Sequence, residues 1–286
     1  MRADVALVER GLATSRTQAQ RLIAAGDVTL DGRVLTRPAV AVLEQHVLAV
    51  APGDDYVSRA AHKLAGALDA LAGAGLAGPP VAGVRVLDAG ASTGGFTDVV
   101  LRRGADHVVA VDVGSGQLDP RIRSDARVTV LEHTNVRTLT PEQIGGVADL
   151  LVADLSFISL RLVLDPLAAC LAPGAHAVVL VKPQFEVGRE RLGSGGVVTD
   201  PRQRTRAVVG ALDAAAASGL RARAVLPSAL QGMHGNQEYV AWLERVAPGA
   251  TPSPGAEVDA ATAREHARVA QGAVAGRLVP AEWGTW

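Results

Sequence analysis

Short runs of apolar residues, separated by segments of helical pattern, repeat along most of this chain and constrain its fold more than any other feature. Five such runs occupy residues 84–87, 108–113, 128–131, 150–153 and 177–181. Helical patterns lie between several of them, at residues 95–103, 160–171 and 205–217. Strands that are apolar on both faces and alternate with helices form parallel sheets. We therefore predict an α/β fold with a doubly wound, mostly parallel sheet, completed by late strands at residues 222–226 and 238–243.

The first 54 residues predict a separate small α+β domain. Residues 3–10 have helical spacing and end at Gly11, and a second helix is expected over residues 16–25. Two apolar stretches then flank the pair Asp31-Gly32, and an Asp-Gly pair in this setting is a strong hairpin signal. The expected order is helix, helix, hairpin.

A turn of proline, glycine and aspartates at residues 52–55 marks the end of this domain. We predict a linker over residues 55–61, a large domain over residues 62–246 and a tail over residues 247–286 whose order the sequence does not decide. Ser58 is expected to cap the first helix of the large domain. The tail contains one helical stretch near residues 261–275.

Composition excludes several classes of protein. The single cysteine, Cys170, rules out an internal disulfide and fits a reducing compartment, so we expect a cytoplasmic protein. No stretch approaches the roughly 18 apolar residues that cross a bilayer, so no membrane partner is expected. Aromatic residues are only 3% of the chain and the net charge is −1. Any nucleic-acid surface must therefore be local and rely on arginine and backbone groups.

A glycine-rich loop directly follows the first strand of the predicted sheet. It runs from Asp88 to Phe96 and opens a helix, so its backbone can approach a ligand closely. Asp112 ends the next strand, 24 positions after Asp88, at the usual distance for a carboxylate that binds ribose hydroxyls. The spacing is not that of a dinucleotide fingerprint. The two features together are similar to the S-adenosylmethionine site of Rossmann-type methyltransferases.

The chain has only two lysines, Lys63 and Lys182, among 28 basic residues. Arginine stays charged at any working pH, whereas a lysine can lose its proton, so the two lysines are candidates for proton transfer. Lys182 follows the fifth predicted strand and Asp154 follows the fourth, at the edge where parallel sheets bind ligands. Glu238 begins a late strand near the same edge.

The motifs SRAAHKL, LDAGASTGGF, VADLSFISL, LVKPQFEVG and GNQEYVAWL resemble those of the TlyA group of ribosomal RNA 2′-O-methyltransferases. This group belongs to the wider FtsJ-like ribose methyltransferases and is sometimes labelled haemolysin. The run LVERGLATSRTQAQRLIAAGDVTLDGRVL likewise resembles the RNA-binding domain of the ribosomal protein S4 type. The resemblance implies a class I methyltransferase fold and methylation of cytidine in the RNA of both ribosomal subunits.

The resemblance also implies roles for individual residues. The catalytic tetrad would be Lys63, Asp154, Lys182 and Glu238. The residues expected to bind S-adenosylmethionine are Asp88, Gly90, Ser92, Gly94, Asp112, Asn135, Asp154 and Phe157. Those expected near RNA are Arg10, Arg16, Arg21, Arg33 and, in the linker, Arg59. We expect a monomer that binds ribosomal RNA or ribosomal subunits and uses no metal.

Two alternatives remain open on the sequence alone. One is a non-catalytic RNA-binding or ribosome assembly factor, which would share the first domain but would not need the tetrad. The other is a membrane-active haemolysin, although the sequence contains no strongly basic amphipathic segment of the kind that binds membranes.

Overall fold

The computed structural model describes residues 1–13, 15–25, 27–50, 56–188, 192, 195–232, 235–246 and 258–282, without the side chains of residues 21 and 25. The predicted turn at residues 52–55 lies outside these ranges, as do residues 247–257 and 283–286 of the predicted tail. The chain divides into two compact units, residues 1–59 and 60–286. The domain bounds given above stay predictions.

The first unit has the predicted order of helix, helix and hairpin. It contains α1 (Ala3–Glu9), α2 (Arg16–Ala25), β1 (Val28–Leu30), β2 (Arg33–Val34) and β3 (Leu48–Val50). Asp31 and Gly32 both have positive φ, 50° and 79°, as a two-residue hairpin turn requires. Strand β3, which was not predicted from the sequence, pairs with the other side of β1 to give the antiparallel order β2-β1-β3.

The second unit is an eight-stranded sheet with helices. Its strands are β4 (Arg85–Ala89), β5 (His107–Val111), β6 (Val128–Leu131), β7 (Ala148–Ala153), β8 (Leu171–Val181), β9 (Leu220–Pro227), β10 (Tyr239–Arg245) and β11 (Val279–Pro280). Its helices are α3 (Ala61–Gly73), α4 (Gly95–Arg102), α5 (Pro120–Arg123), α6 (Leu164–Ala169), α7 (Pro183–Glu186), α8 (Pro201–Ala217) and α9 (Ala260–Val274), with two 3₁₀ turns at Val136–Thr138 and Leu160–Leu162.

The strand order is β11-β9-β10-β8-β7-β4-β5-β6. The pairs among β4, β5, β6, β7 and β8 are parallel, whereas β10 is antiparallel to both β8 and β9. The predicted fold class is therefore confirmed. The carboxyl ends of the parallel strands share one edge, and β10 begins at that edge because it runs in the opposite direction.

The core of the second unit explains why these runs form strands. Leu87, Leu151 and Val179 lie on neighbouring strands, have no more than 2% of their surface exposed, and belong to one apolar cluster with α6 and α8. Val269 and Ala270 of α9 join the same cluster with no exposed surface. The described part of the tail is thus packed into this unit.

Three predictions of local structure are wrong. Ser58 does not cap α3, which begins at Ala61 after Ala60, with no side-chain cap. The helix predicted over residues 160–171 is only a 3₁₀ turn followed by α6, because Leu171 already pairs with β7 as the start of β8. The strand predicted to reach residue 113 ends at Val111, because the Asp112 side chain binds neighbouring backbone N–H groups.

None of the helices in the described ranges is long and apolar enough to cross a membrane.

Candidate active site

The structure brings together the four charged residues of the predicted tetrad at the carboxyl edge of the sheet. Lys63 lies in the first turn of α3, Asp154 directly follows β7, and Lys182 directly follows β8. Glu238 immediately precedes β10, whose start lies beside the end of β8 in the antiparallel pair. The alternation of strands and crossovers therefore gathers residues that are far apart in the chain.

The four side chains form a continuous series of ion pairs. Lys63 Nζ lies 2.6 Å from Glu238 Oε2 and 3.8 Å from Asp154 Oδ2. Lys182 Nζ lies 2.6 Å from the other Asp154 oxygen, Oδ1. Asp154 thus stands between the two amines, and each amine has a carboxylate beside it.

The tetrad is shielded from water and electrically balanced. Lys63 and Lys182 each have 7% of their surface exposed and Glu238 has 2%. A charge buried without a partner is strongly destabilising, so two amines at such a site need two carboxylates. The arrangement holds two basic nitrogens at fixed positions in a poorly hydrated place, where electrostatic effects on a reacting group are strong.

The backbone of Gly232 packs directly against the Glu238 side chain. A Cβ at position 232 would lie 2.6 Å from Glu238 Cδ, closer than real Cβ contacts. Gly232 N donates a 2.8 Å hydrogen bond to the carbonyl oxygen of Asn236. The buried Asn236 side chain in turn accepts a hydrogen bond from Val198 N and donates one to Gly196 O, both at 3.0 Å. The position of Glu238 therefore depends on a glycine and on a loop from elsewhere in the chain.

The glycine-rich loop adopts backbone conformations that bring it close to the neighbouring strand end. Gly90 has φ 85°, and a Cβ there would meet Leu155 Cδ2 at 2.9 Å and the Asp154 carbonyl oxygen at 3.1 Å. Gly94 has φ 92°, and Ser92 has φ 49° although it is not a glycine. Such values favour glycine, so the loop follows a path that most sequences would not adopt.

Asp112 fastens this loop to the end of β5. Its carboxylate accepts hydrogen bonds from Ser92 N at 2.8 Å and from Gly114 N at 2.7 Å. A shallow cavity opens beside it, lined by Ser92, Asp112, Gln117 and Glu132 among others. A ligand in this cavity would lie within reach of two acidic side chains and of the loop backbone.

Asp88 lies beneath the loop with none of its surface exposed. Its Oδ2 accepts a 2.6 Å hydrogen bond from Thr97 Oγ1, whereas its Oδ1 is buried and has no partner within the described residues. Burial raises the pKa of Asp88 to about 7; the Thr97 hydrogen bond opposes this rise, and the charges of Asp154 and Asp112 add to it. One oxygen of the Asp88 carboxyl group, Oδ1, therefore lacks a donor among the described residues.

The other two residues predicted to bind the cofactor, Asn135 and Phe157, differ in their surroundings. Asn135 follows β6 and caps the first 3₁₀ turn, where its Oδ1 accepts a 3.0 Å hydrogen bond from Arg137 N. Phe157 has φ 64° and is 80% exposed, with its ring centroid 5.4 Å from that of Phe185. Asn135 is thus occupied within its own turn, and Phe157 presents an aromatic face to solvent.

The arginines predicted to bind RNA lie in the first unit, and two of them are also used inside it. Arg10 donates hydrogen bonds to the carbonyl oxygens of His46 at 2.6 Å and Leu43 at 2.9 Å. Arg16 binds the buried carboxylate of Asp4 at 2.9 Å. Arg33 and Arg59 are exposed, and the Arg21 side chain lies outside the described residues.

The contacts around these residues were not predicted from the sequence. The Ser156 hydroxyl accepts a 2.8 Å hydrogen bond from Lys182 Nζ. In the first unit, the carboxylate of Asp4 accepts hydrogen bonds from Arg2 Nε at 3.0 Å and from Arg16 Nε, and so holds both arginines. The Arg2 hydrogen bond holds the pKa of Asp4 well below its usual range. The motif VADLSFISL contains Ser156, but no pattern in it indicates that this serine, rather than its neighbours, contacts the lysine.

Comparison with known proteins matches both units to families. The model of the FtsJ-like methyltransferases matches residues 56–245, and that of the S4 domain matches residues 1–48. The chain is 53% identical over 258 residues to the 16S/23S rRNA (cytidine-2′-O)-methyltransferase TlyA of Mycobacterium tuberculosis, covering 90% of this chain and 94% of the relative. It is 40% identical over 244 residues to YqxC of Bacillus subtilis, described as a candidate rRNA methyltransferase, covering 85% of each.

A solved structure has the same architecture. A protein from Streptococcus thermophilus, described as a candidate hemolysin, superposes with a TM-score of 0.67 at 36% identity and covers 94% of this chain and 95% of its own. The family matches, the 53% identity over nearly the whole length and the shared fold agree. The chain is an enzyme that belongs to the FtsJ-like methyltransferase family, in its TlyA group, with an S4 domain at its N-terminus.

Proposed function

We propose that this enzyme methylates the ribose 2′-hydroxyl of ribosomal RNA, on cytidines of both the 16S and the 23S molecules. The observation that carries the proposal is the buried series of ion pairs from Glu238 through Lys63 and Asp154 to Lys182. The series places a basic lysine nitrogen beside a carboxylate that balances its charge, at the carboxyl edge of the sheet. The name of the M. tuberculosis relative supports the cytidine and the two RNA molecules.

Family membership brings S-adenosylmethionine as the cofactor, and the residues at the edge of the sheet fit it. The buried Asp88 Oδ1 has no donor among the described residues and suits the ammonium group of the methionine portion. We assign Gly90, Ser92 and Gly94 of the glycine-rich loop to the same portion. We assign Asp112 to the ribose, because Asp112 binds this loop and lines the cavity beside it. Asn135 and Phe157 are assigned to the adenine or sulfonium side, together with Asp154. When bound, the cofactor supplies a methyl group on a positively charged sulfur.

The tetrad supplies the chemistry that a ribose hydroxyl lacks. A 2′-hydroxyl is a weak nucleophile while it keeps its proton, so a base must accept the proton as the oxygen reacts. We assign this role to Lys182 Nζ. Lys63 stabilises the negative charge that develops on the oxygen. Asp154 and Glu238 hold the two amines in place, and both amines and Glu238 are buried, which keeps water away from them.

RNA would be held by charge. We assign Arg10, Arg16, Arg21, Arg33 and Arg59 to contacts with phosphates, since arginine groups bind phosphate without reading sequence. We further propose that the enzyme acts as a monomer, without a metal, in the cytoplasm on ribosomal subunits. Its sedimentation with and without RNA, and its activity after treatment with a chelator, would test the first two points.

The decisive experiment maps 2′-O-methyl groups on ribosomal RNA. RNA from a strain that lacks the gene is compared with RNA from its parent and from strains complemented with the wild type or with Lys182→Arg. We expect cytidine methyl groups that are present in the parent, absent in the deletion, restored by the wild type and not restored by the variant. Identical maps in the parent and the deletion strain would contradict the proposed function.

A further inference from the structure

Among the described residues, two polar neighbours hold the amine of Lys182 in different ways. Asp154 Oδ1 is 2.6 Å away, but within the described part of the chain this oxygen accepts no aligned hydrogen bond, so the contact is one of charge. Ser156 Oγ accepts a hydrogen bond from the same nitrogen at 2.8 Å. A hydrogen bond is directional, whereas an ion pair fixes distance more than angle. Ser156 therefore sets the direction of the Lys182 N–H groups.

The turn that carries Ser156 is itself fixed to the segment that carries Lys182. Glu186, in the helix that follows Lys182, accepts hydrogen bonds from Ser159 Oγ at 2.6 Å and from Leu160 N at 2.8 Å. The Glu186 side chain is 1% exposed, so these bonds are shielded from water. Ser156 and Lys182 thus belong to two segments that are joined at a second point, and their hydrogen bond is held by the fold.

Exposure distinguishes Ser156 from the four residues of the tetrad. Ser156 is exposed, whereas Lys182 is 7% exposed. The hydroxyl can therefore accept from the buried amine while its own hydrogen faces water or RNA. A serine hydroxyl offers both functions in one group.

We propose that Ser156 is a positioning residue that orients the Lys182 amine toward the ribose hydroxyl, an inference that rests on the proposed function. An uncharged amine has two N–H bonds and one lone pair. With one N–H donated to Ser156 Oγ and the nitrogen 2.6 Å from Asp154 Oδ1, the hydrogen bond to Ser156 restricts the directions in which the lone pair can point. As the hydroxyl reacts, its O–H bond breaks and a third N–H bond forms on Lys182, which later releases this proton to water.

The kinetic test replaces the hydroxyl and then restores it. We expect Ser156→Ala to lower kcat by about tenfold to hundredfold, the effect of leaving a buried donor without its partner, with KM for RNA changed by less than about twofold. Ser156→Thr retains the hydroxyl and should recover most of the activity. The matched control is Ser218→Ala, which also removes side-chain hydrogen bonds. Ser218 precedes β9, whose other end, at Pro227, pairs with Tyr239 beside the tetrad, so the control lies far from the site.

A spectroscopic test observes the amine directly, without cofactor or RNA. The chain has only two lysines, so protein labelled with ¹³C-lysine gives two ε-carbon signals, and Lys63→Arg assigns them. Ser156→Ala should shift or broaden the Lys182 signal and leave that of Lys63 in place, and Ser156→Thr should return the Lys182 signal toward its original position. Melting curves of all variants establish that they are folded.

Two results would overturn the inference: full kcat in Ser156→Ala, or a loss confined to KM with an unchanged Lys182 signal, which would make Ser156 an RNA contact. Failure of the proposed function is a separate result, since the wild type itself would then leave ribosomal RNA unmethylated.

Discussion

Lys63 Nζ lies 2.6 Å from Glu238 Oε2, although 175 positions separate the two residues in the chain. The contact is buried, and it couples the first helix of the second unit to the strand β10. Because the amine and the carboxylate each depend on the other for compensation, any change that displaces one should alter the other. The ion pair is therefore a sensitive point at which to test the site.

Gly232→Ala tests the ion pair between Lys63 and Glu238 without replacing either charged residue. A Cβ at position 232 would overlap the Glu238 side chain, so we expect the carboxylate to move away from Lys63 and kcat to fall at least tenfold. Gly232 is half-buried beside the buried Glu238, and overpacking typically costs about 1–3 kcal/mol, which urea unfolding would measure. Gly232 is not among the residues with positive φ, so lack of space would explain the effect.

The control is Gly73→Ala at the end of α3. A Cβ at that position meets nothing within 4 Å, and its φ is not positive either. Alanine is favoured over glycine in helices by up to about 1 kcal/mol, so this variant should be active and at least as stable as the wild type. Equal kcat in both variants would show that Glu238 does not need its present position.

Lys182→Arg tests the proton acceptor. Arginine keeps the positive charge but does not give up its proton at any working pH, so we expect methyl transfer to fall at least about a hundredfold, the lower range for loss of a general base. Cofactor binding, measured by calorimetry, should change little. Lys63→Arg keeps the charge that we assign to Lys63 and should retain more activity than Lys182→Arg. The reverse order would exchange the roles of the two lysines.

The exposed arginines of the first unit test RNA binding. Arg33→Ala should weaken binding to a ribosomal RNA fragment and reduce the salt dependence by about one phosphate contact, with unchanged stability. Arg10→Ala should reduce affinity and stability together, because Arg10 also binds the carbonyl oxygens of Leu43 and His46. Arg277→Ala, an exposed position in the second unit, is the control. Titrations at several KCl concentrations distinguish these cases, and an unaltered salt slope in Arg33→Ala would exclude that residue.

The sequence predicts well what depends on periodicity and on strand ends. Alternating apolar runs predicted the parallel sheet, and the rule that ligands bind at carboxyl ends directed attention to Asp154 and Lys182. The sequence predicts poorly the contacts between side chains of different segments of the chain. The hydrogen bond from Lys182 to Ser156 and the packing of Gly232 on Glu238 arise only when separate loops meet, and no periodic pattern encodes such meetings.

The same limit applies to elements whose ends are decided by tertiary contacts. Strand β11 pairs with β9 at the sheet edge, yet a strand of two residues has no periodicity to detect. Ser58 has the chemistry of a helix cap, but α3 begins only at Ala61. At β11 and at the start of α3, tertiary contacts decide where the element begins, and the local sequence preference does not.

Asp88 makes stability depend on pH in a direction opposite to that of most acids. Its pKa is raised to about 7 from an ordinary value of 3.8, so between these values the folded protein holds a proton that the unfolded chain has released. Stability from this group is therefore present below pH 4 and is lost as pH rises toward 7. Asp88→Asn keeps the shape and can accept the Thr97 hydrogen bond without titrating. Urea unfolding at pH 5 and pH 8 should show the wild type losing ~3 kcal/mol relative to the variant, and parallel changes in the two proteins would mean that Asp88 is ionised throughout.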